Sequence, residues 1–300
     1  MRTVVEPLNA RPRPDDQMQR LFSGGWPAFI GVDRQASRHL GRVREVFADL
    51  ELVLLDGDDE LVAAGWGVPI RWDGDPAQLP EGYTDSLRHA LDGHDRGERP
   101  DTLVVMAAQV RPDLRGRGLA GALLTALRSL ADQRGWPRIV APVRPTLKAR
   151  YPLTPIERFA TWTREDGAPL DPWVRTHWRL GARLIATAPR SQTMTGTVAE
   201  WEQWTGMVLP DSGDYVIPDG LAPLRVDREL DQGTYTEPNL WFGTGRQAQG
   251  PAAHATEAAT RCAYDRRKPR RRRGRRGFPE RESGGRQDGS RPQMKRGSAE

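Results

Sequence analysis

Val104-Val105-Met106-Ala107-Ala108-Gln109-Val110-Arg111-Pro112-Asp113-Leu114-Arg115-Gly116-Arg117-Gly118-Leu119-Ala120 is the stretch around which the rest of the chain is organised. Residues 103 to 110 form an apolar, β-branched-rich run bounded by Pro100-Asp101 and Pro112, and from Gly118 the apolar positions 119, 122, 123, 126, 127 and 130 recur at helical spacing. The hydrophobic period switches across the glycines, which predicts strand, loop and helix. Such a loop directs several free backbone N–H groups at one point, with the positive end of the helix dipole behind them. Gly116 and Gly118 let a ligand approach without a Cβ in the way, Ala120 keeps the first helical turn slim, and Arg115 and Arg117 add positive charge. The expected ligand is a pyrophosphate.

Three phosphate-binding patterns compete for this loop, and spacing separates them. A P-loop fails because no Gly-Lys-Ser/Thr follows at the required distance. Gly116, Gly118 and Gly121 do satisfy the dinucleotide pattern G-x-G-x-x-G. That pattern, however, needs its first glycine close behind the strand and an acid about 20 positions on to hold a ribose. Here Arg111 to Arg115 intervene, and Ile139-Val140-Ala141-Pro142 contains no acid. Val110-x-Pro112 followed by Arg115-x-x-Gly118-x-Ala120 fits a third pattern, R/Q-x-x-G-x-G/A. In this it resembles the acyl-CoA-binding motif of the Gcn5-related N-acetyltransferase (GNAT) superfamily.

The helix after the glycines should end at Gly135, and Arg138 to Val143 reads as a short buried strand. Two strands joined by a helix run parallel. The resemblance implies an α/β fold with a GNAT-like mixed, mostly antiparallel sheet, whose central parallel strand pair splays apart and is flanked by helices. It also implies acetyl-CoA as the acyl donor and a small-molecule amine that attacks the thioester directly. On that reading the backbone at Ala108 and Val110 pairs with the pantetheine amides. The N–H groups of Arg115, Gly116, Arg117, Gly118, Leu119 and Ala120 hold the pyrophosphate, and that of Val110 polarises the thioester carbonyl. Many family members carry a tyrosine four residues before the glycine of the terminal helix, as acid for the departing thiolate. His177, before Gly181, holds that position here, although a histidine one turn from a helix end also serves simply as a dipole partner.

Residues 144 to 171 depart from the family pattern by an extra segment, with a helix expected over Thr154–Thr163, capped by a Thr154/Glu157 box. Glu157, Glu165, Asp166 and Asp171 are the acids nearest the cleft in sequence, but capping explains Glu157 and Asp171, and none is assigned as the base. Arg144, Lys148, Arg150 and Tyr151 offer an anion site for substrate or the cofactor's 3′-phosphate, and a solvated loop explains them as well.

Upstream, Thr3 to Pro7 reads as a strand, Asp15 to Phe22 and Asp33 to Leu50 as helices, and Leu52–Leu55 with Leu61–Ile70 as a hairpin. Trp66 and Trp72 are expected in the core or at its rim. The polar stretch 73 to 102, with a helix over Tyr83–Leu91, is long enough to be a flap, so the acceptor pocket is expected from residues 73–102 and 144–170. Downstream, Asp171-Pro172 starts a helix that ends at Leu180-Gly181, with Trp178 expected in the core. Ala182–Ala188 and Arg190–Thr195 read as two pairing strands, Thr197 to Glu200 as a capping box, and Leu221–Val226 as an edge strand.

Of 300 residues, 37% are apolar, enough for a substantial core. The net charge of +5 is unevenly spread. Residues 243–300 hold 16 Lys/Arg against 6 Asp/Glu, leaving 29 against 34 in residues 1–242. One folded domain over residues 1–242 and a disordered basic tail over 243–300 are expected. The acidic domain leans toward a cationic acceptor. The arginine run 266–276 supports a different class of function, a nucleic-acid or acidic-surface binding arm, and a non-catalytic acyl-CoA-binding domain is a further alternative. A shifted reading frame would leave the same abrupt change. One cysteine, Cys262, and five scattered histidines predict neither an internal disulfide nor a metal site. No apolar run of about 18 residues predicts a membrane span, and a cytoplasmic location is expected.

Overall fold

The computed structural model describes residues 3–244. In chain order the elements are β1 (Val4–Pro7), α1 (Asp15–Phe22), α2 (Arg34–Val46), β2 (Glu51–Leu55), β3 (Leu61–Ile70), α3 (Tyr83–Asp95), β4 (Thr102–Val110), α4 (Leu119–Gln133), β5 (Arg138–Val143), α5 (Ile156–Ala160), α6 (Pro172–Arg179), β6 (Arg183–Gly196), α7 (Val198–Thr205), β7 (Gly213–Tyr215), β8 (Leu224–Asp227) and β9 (Gln232–Thr244). The strands join in one mixed sheet ordered β1-β2-β3-β4-β5-β9-β8-β7, with β6 also paired to β9. Every pairing is antiparallel except β4 with β5. The expected fold class is therefore the observed one.

β4 is apolar from Leu103 to Ala108 because both of its faces are covered. Leu103 and Val105 join Leu119, Leu123 and Leu127 of α4 and Val174 of α6 in one core. Val104 and Met106 point the other way, against Val43 of α2 and Leu87 and Leu91 of α3. This is the period-2 alternation of a strand buried on both sides. A third core under α7 gathers Trp201, Leu224 and Tyr235, all fully buried.

Several local expectations hold for the reasons given. Asp33 caps α2 by accepting from the N–H groups of Gln35 and Ala36, Asp171 caps α6 through those of Trp173 and Val174, and Thr197 and Glu200 form a complete capping box. Others do not. Helix α5 spans only Ile156–Ala160, and Pro155 precedes it without any side-chain cap. Glu157 accepts instead from the Thr187 hydroxyl at 3.4 Å. The two short strands expected at 182–195 are one strand, β6, bulged between Ala188 and Gln192, whose partner on both sides of the bulge is β9. Pro238 and the polar residues around it disguise β9, a 13-residue strand between β5 and β8. It runs two residues past the boundary expected at 242, and the reading of residues 245–300 as a basic tail, Cys262 included, falls outside the described residues. Trp178 is 36% exposed, with the Arg183 guanidinium 5.7 Å from its ring centre, because it lies on the solvent side of α6. Among the described residues no helix is long and apolar enough to cross a membrane, and no cluster of three or more potential metal ligands occurs.

Candidate active site

The centre of the site is a gap in the sheet. β4 and β5 pair only through Thr102–Val104 and Arg138–Val140; beyond that β4 continues to Val110 with β3 alone on one side. Arg111 N–H donates to the Val62 carbonyl at 3.0 Å. In an antiparallel ladder alternate residues turn their amides toward the partner. With Gln109 opposite Ala64 and Val110 opposite Ala63, the amides of Ala108 and Val110 therefore face the gap.

A bulge lies at the point where the strands part. Trp66 is opposite Ala107 but Gly67 is opposite Val105, so Met106 is an extra residue without a partner in β3. Two glycines permit it. A Cβ on Gly65 would stand 2.9 Å from the Ala107 carbonyl, and one on Gly67 would stand 2.7 Å from that of Val104. Glycine in a strand interior marks such a close approach of backbone.

β4 leads to the glycine loop, where a short 3-10 turn over Pro112–Leu114 precedes Gly116 at φ +79° and Gly118 at φ +80°. These are left-handed values that favour glycine. Gly118 is the N-cap of α4, no side chain caps that helix, and a Cβ on either glycine would meet nothing within 4 Å. The first-turn amides are thus left open on a space the protein does not fill. Arg111 is paired with Asp113 and Glu60, whereas Arg115 and Arg117 are exposed and form no ion pair among the described residues. Leu119 is buried and roots the helix, with Ala120 half-buried beside it. Open amides, left-handed glycines and two unpaired cations are what a pyrophosphate requires.

A cavity of about 330 Å³ opens beside the gap. Val105–Ala108 of β4 and Ala141–Arg144 of the β5 end form its floor, and Trp173 and His177 of α6 close one side. Val110 lies further toward the glycine loop. The remaining wall comes from Phe22, Trp26, and Asp33 to Arg44 of the α2 region. From residues 73–102 and 144–170, the stretches from which the acceptor pocket is expected, Tyr83 and Arg144 line this cavity, and α3 packs against α2 in the core behind it. Trp66 also lines the cavity, while Trp72 is buried in the core.

Electrostatics at the wall are set by burial. His177 is 7% exposed, its ring 4.6 Å from that of Trp173, and its Nε2 is buried without a hydrogen-bond partner. Burial pushes its pKa down to about 4, so at neutral pH it is uncharged. It also lines a second cavity of about 450 Å³ with Thr125 and Arg128 of α4. Burial pushes the Tyr83 phenol up to about 12, so it keeps its proton. Asp33 is 2% exposed, and besides its two capping bonds it accepts from the Thr84 hydroxyl.

Of the four residues offered as an anion site, only Arg144 lines the cavity. Lys148 is 1% exposed, and its Nζ donates to the carbonyls of Tyr151, Pro152 and Leu221; burial lowers its pKa to about 8. Tyr151 stands edge-on to Trp162 at 4.8 Å, and Arg150 is exposed. Glu157, Glu165 and Asp166 are exposed, and Asp171 is spent on its cap. In the sequence Tyr83 signals only a helix start, and the fully buried Glu237 sits in β9, whose polar residues mask it as a strand.

No family profile matches the chain. The arginine N-acetyltransferase avaD of Aspergillus versicolor is 30% identical over 267 residues, an alignment that covers 77% of this chain and 91% of that protein. Among solved structures, the loading GNATL domain of CurA from Lyngbya majuscula superposes with a TM-score of 0.53 at 15% identity, over 82% of this chain and 98% of that domain. This second likeness is one of fold.

Proposed function

The chain belongs to the Gcn5-related N-acetyltransferase superfamily, as an acyl-CoA-dependent N-acetyltransferase, and on that premise we propose that it moves the acetyl group of acetyl-CoA to a primary amine of a small molecule. Arginine is the first acceptor to test, because it is what the 30% identical relative acts on by name. The observation that carries this reading is the continuity of gap, loop and cavity. The strands part after Val104 and Val140, the freed edge of β4 runs to an uncapped helix start with two left-handed glycines, and the cavity opens at the other end of that edge.

Bound acetyl-CoA supplies an acyl group activated as a thioester. The N–H groups of residues 115 to 120 would hold the pyrophosphate, and the edge amides of Ala108 and Val110 would pair with pantetheine. The acceptor nitrogen attacks the carbonyl carbon, the C–S bond breaks, and the thiolate takes a proton while the nitrogen gives one up. A backbone N–H stabilises the charge that builds on the carbonyl oxygen. We place that donor at the bulge, in Met106 to Ala108, since that segment and not Val110 lines the cavity. We give the proton for the thiolate to Tyr83, which holds one at neutral pH. His177, neutral and with a free Nε2, is left a hydrogen bond to the thioester or the incoming amine. Its use as the acid would require a charge where burial opposes one.

Thiol release from acetyl-CoA in the presence of arginine, other amino acids, simple amines and aminoglycosides tests the proposal. Release with an amine, and an acetylated product of the expected mass, support it. Binding of acetyl-CoA without release for any amine would favour a non-catalytic acyl-CoA-binding domain.

A further inference from the structure

Arg144 follows β5 at the cavity wall and is held at two of its nitrogens. Its Nε donates to Glu237, and Nη2 donates to the Asp219 carbonyl at 2.7 Å. Glu237 is fully buried and also accepts from the Tyr235 hydroxyl. That hydroxyl in turn accepts from the Leu221 N–H at 2.7 Å. The guanidinium is thus locked through two of its three nitrogens, which fixes the direction of the remaining charged N–H donors. Nη1 has no partner among the described residues, and Arg144 lines the cavity.

The charges around it do not balance. Lys148 lies close enough to act on Glu237 and is held only by carbonyls, so two cations share one carboxylate. Across the cavity the carboxylate of Asp33 accepts three hydrogen bonds, and the exposed Arg44 lies within electrostatic reach of Glu51. The excess of positive charge at the Arg144 end favours a bound anion there.

We propose that Arg144, positioned by Glu237, receives a carboxylate carried by the acceptor, so that the enzyme takes amino acids in preference to the corresponding plain amines. This rests on the acetyltransferase reading and narrows its acceptor class. An acidic domain surface suggested only a cationic acceptor; the cavity adds the need for an anionic group on the same molecule.

The test compares arginine with agmatine, which is arginine without its carboxylate. Wild-type kcat/KM should favour arginine by about tenfold to a hundredfold, the range for a hydrogen bond to a charged group, mainly through KM. The ratio should fall at least about tenfold in Arg144→Lys, which keeps the charge beside Glu237 but loses the fixed Nη1 donor, and further in Arg144→Gln. Calorimetry with N-acetylarginine and N-acetylagmatine gives a readout independent of turnover, in which wild type should bind the former more tightly and Arg144→Lys should lose that preference. Equal use of arginine and agmatine by wild type, or a preference that survives in both variants, overturns the proposal. If neither acceptor is acetylated, the arginine reading fails, and the calorimetric preference alone then decides for or against the carboxylate site.

Discussion

At neutral pH Tyr83 keeps its proton and His177 stays uncharged, although both line one cavity, and this difference gives two residue-scale predictions. Removing the phenol in Tyr83→Phe should lower kcat by about 10²-fold, the low end of what a positioned acid contributes, with the KM for acetyl-CoA within about threefold of wild type. Steady-state kinetics check it. His177 makes a statement about stability. Its pKa falls from 6.5 to about 4 on folding, so between those values the unfolded chain binds the proton more readily and stability drops as the pH is lowered. Full stability is present above about pH 6.5, and the whole effect is of order 3 kcal/mol. In His177→Leu the unfolding free energy should lose that part of its pH dependence, measured by denaturant melts from pH 7 to 4. Parallel pH profiles for the two proteins would show that burial does not hold the ring neutral.

At the scale of elements, the bulge in β4 depends on glycines in its neighbour. Gly67→Val puts a Cβ 2.7 Å from the Val104 carbonyl and 2.8 Å from Leu103 Cδ1, a contact that backbone cannot relieve without moving β4. The variant should lose about 2 kcal/mol or more of stability and, where still folded, bind acetyl-CoA more weakly than wild type; calorimetry on the refolded variant reads both. The strand, loop and helix that carry the cradle were legible because period, glycines and arginines all agree over residues 103 to 130. The cavity wall was less so. Asp33 could be read as a cap and Tyr83 as a helix start, but nothing local shows that α2 lies across the gap, since that is decided by packing of Val43 and Leu91 on the far face of the sheet. β9 was hidden for a different reason. Its interior carries Glu237, Pro238 and Asn239, which argue against a central strand, and they are tolerated because Glu237 is paired with Arg144 and Tyr235, and Asn239 donates to the Pro238 carbonyl at 2.9 Å.

For the molecule as a whole, β9 is the strand that joins the two halves of the sheet. It pairs with β5, β6 and β8 and contributes the buried Tyr235, Leu240, Trp241 and Phe242 to three different cores. A chain ending at Asp231 should not fold, while one ending at Thr244 should keep the melting cooperativity and acetyl-CoA affinity of the full chain. Circular dichroism melts with calorimetry distinguish the two. Loss of acetyl-CoA affinity in the longer truncation would assign a role in the site to residues 245–300.

The cofactor reading stands on the cradle at the start of α4. Because a Cβ at Gly118 meets no protein atom within 4 Å, a side chain there starts into the open space proposed for the pyrophosphate, at a cost of about 1–2 kcal/mol for the left-handed backbone. The decisive measurement is a calorimetric titration of acetyl-CoA into the wild type and into Gly118→Trp, with a melt to show that the variant is folded. Wild type should bind acetyl-CoA, and the folded variant should bind it at least about tenfold more weakly. Equal affinity in the two proteins, or binding of NADH or ATP in place of any CoA species, would contradict it.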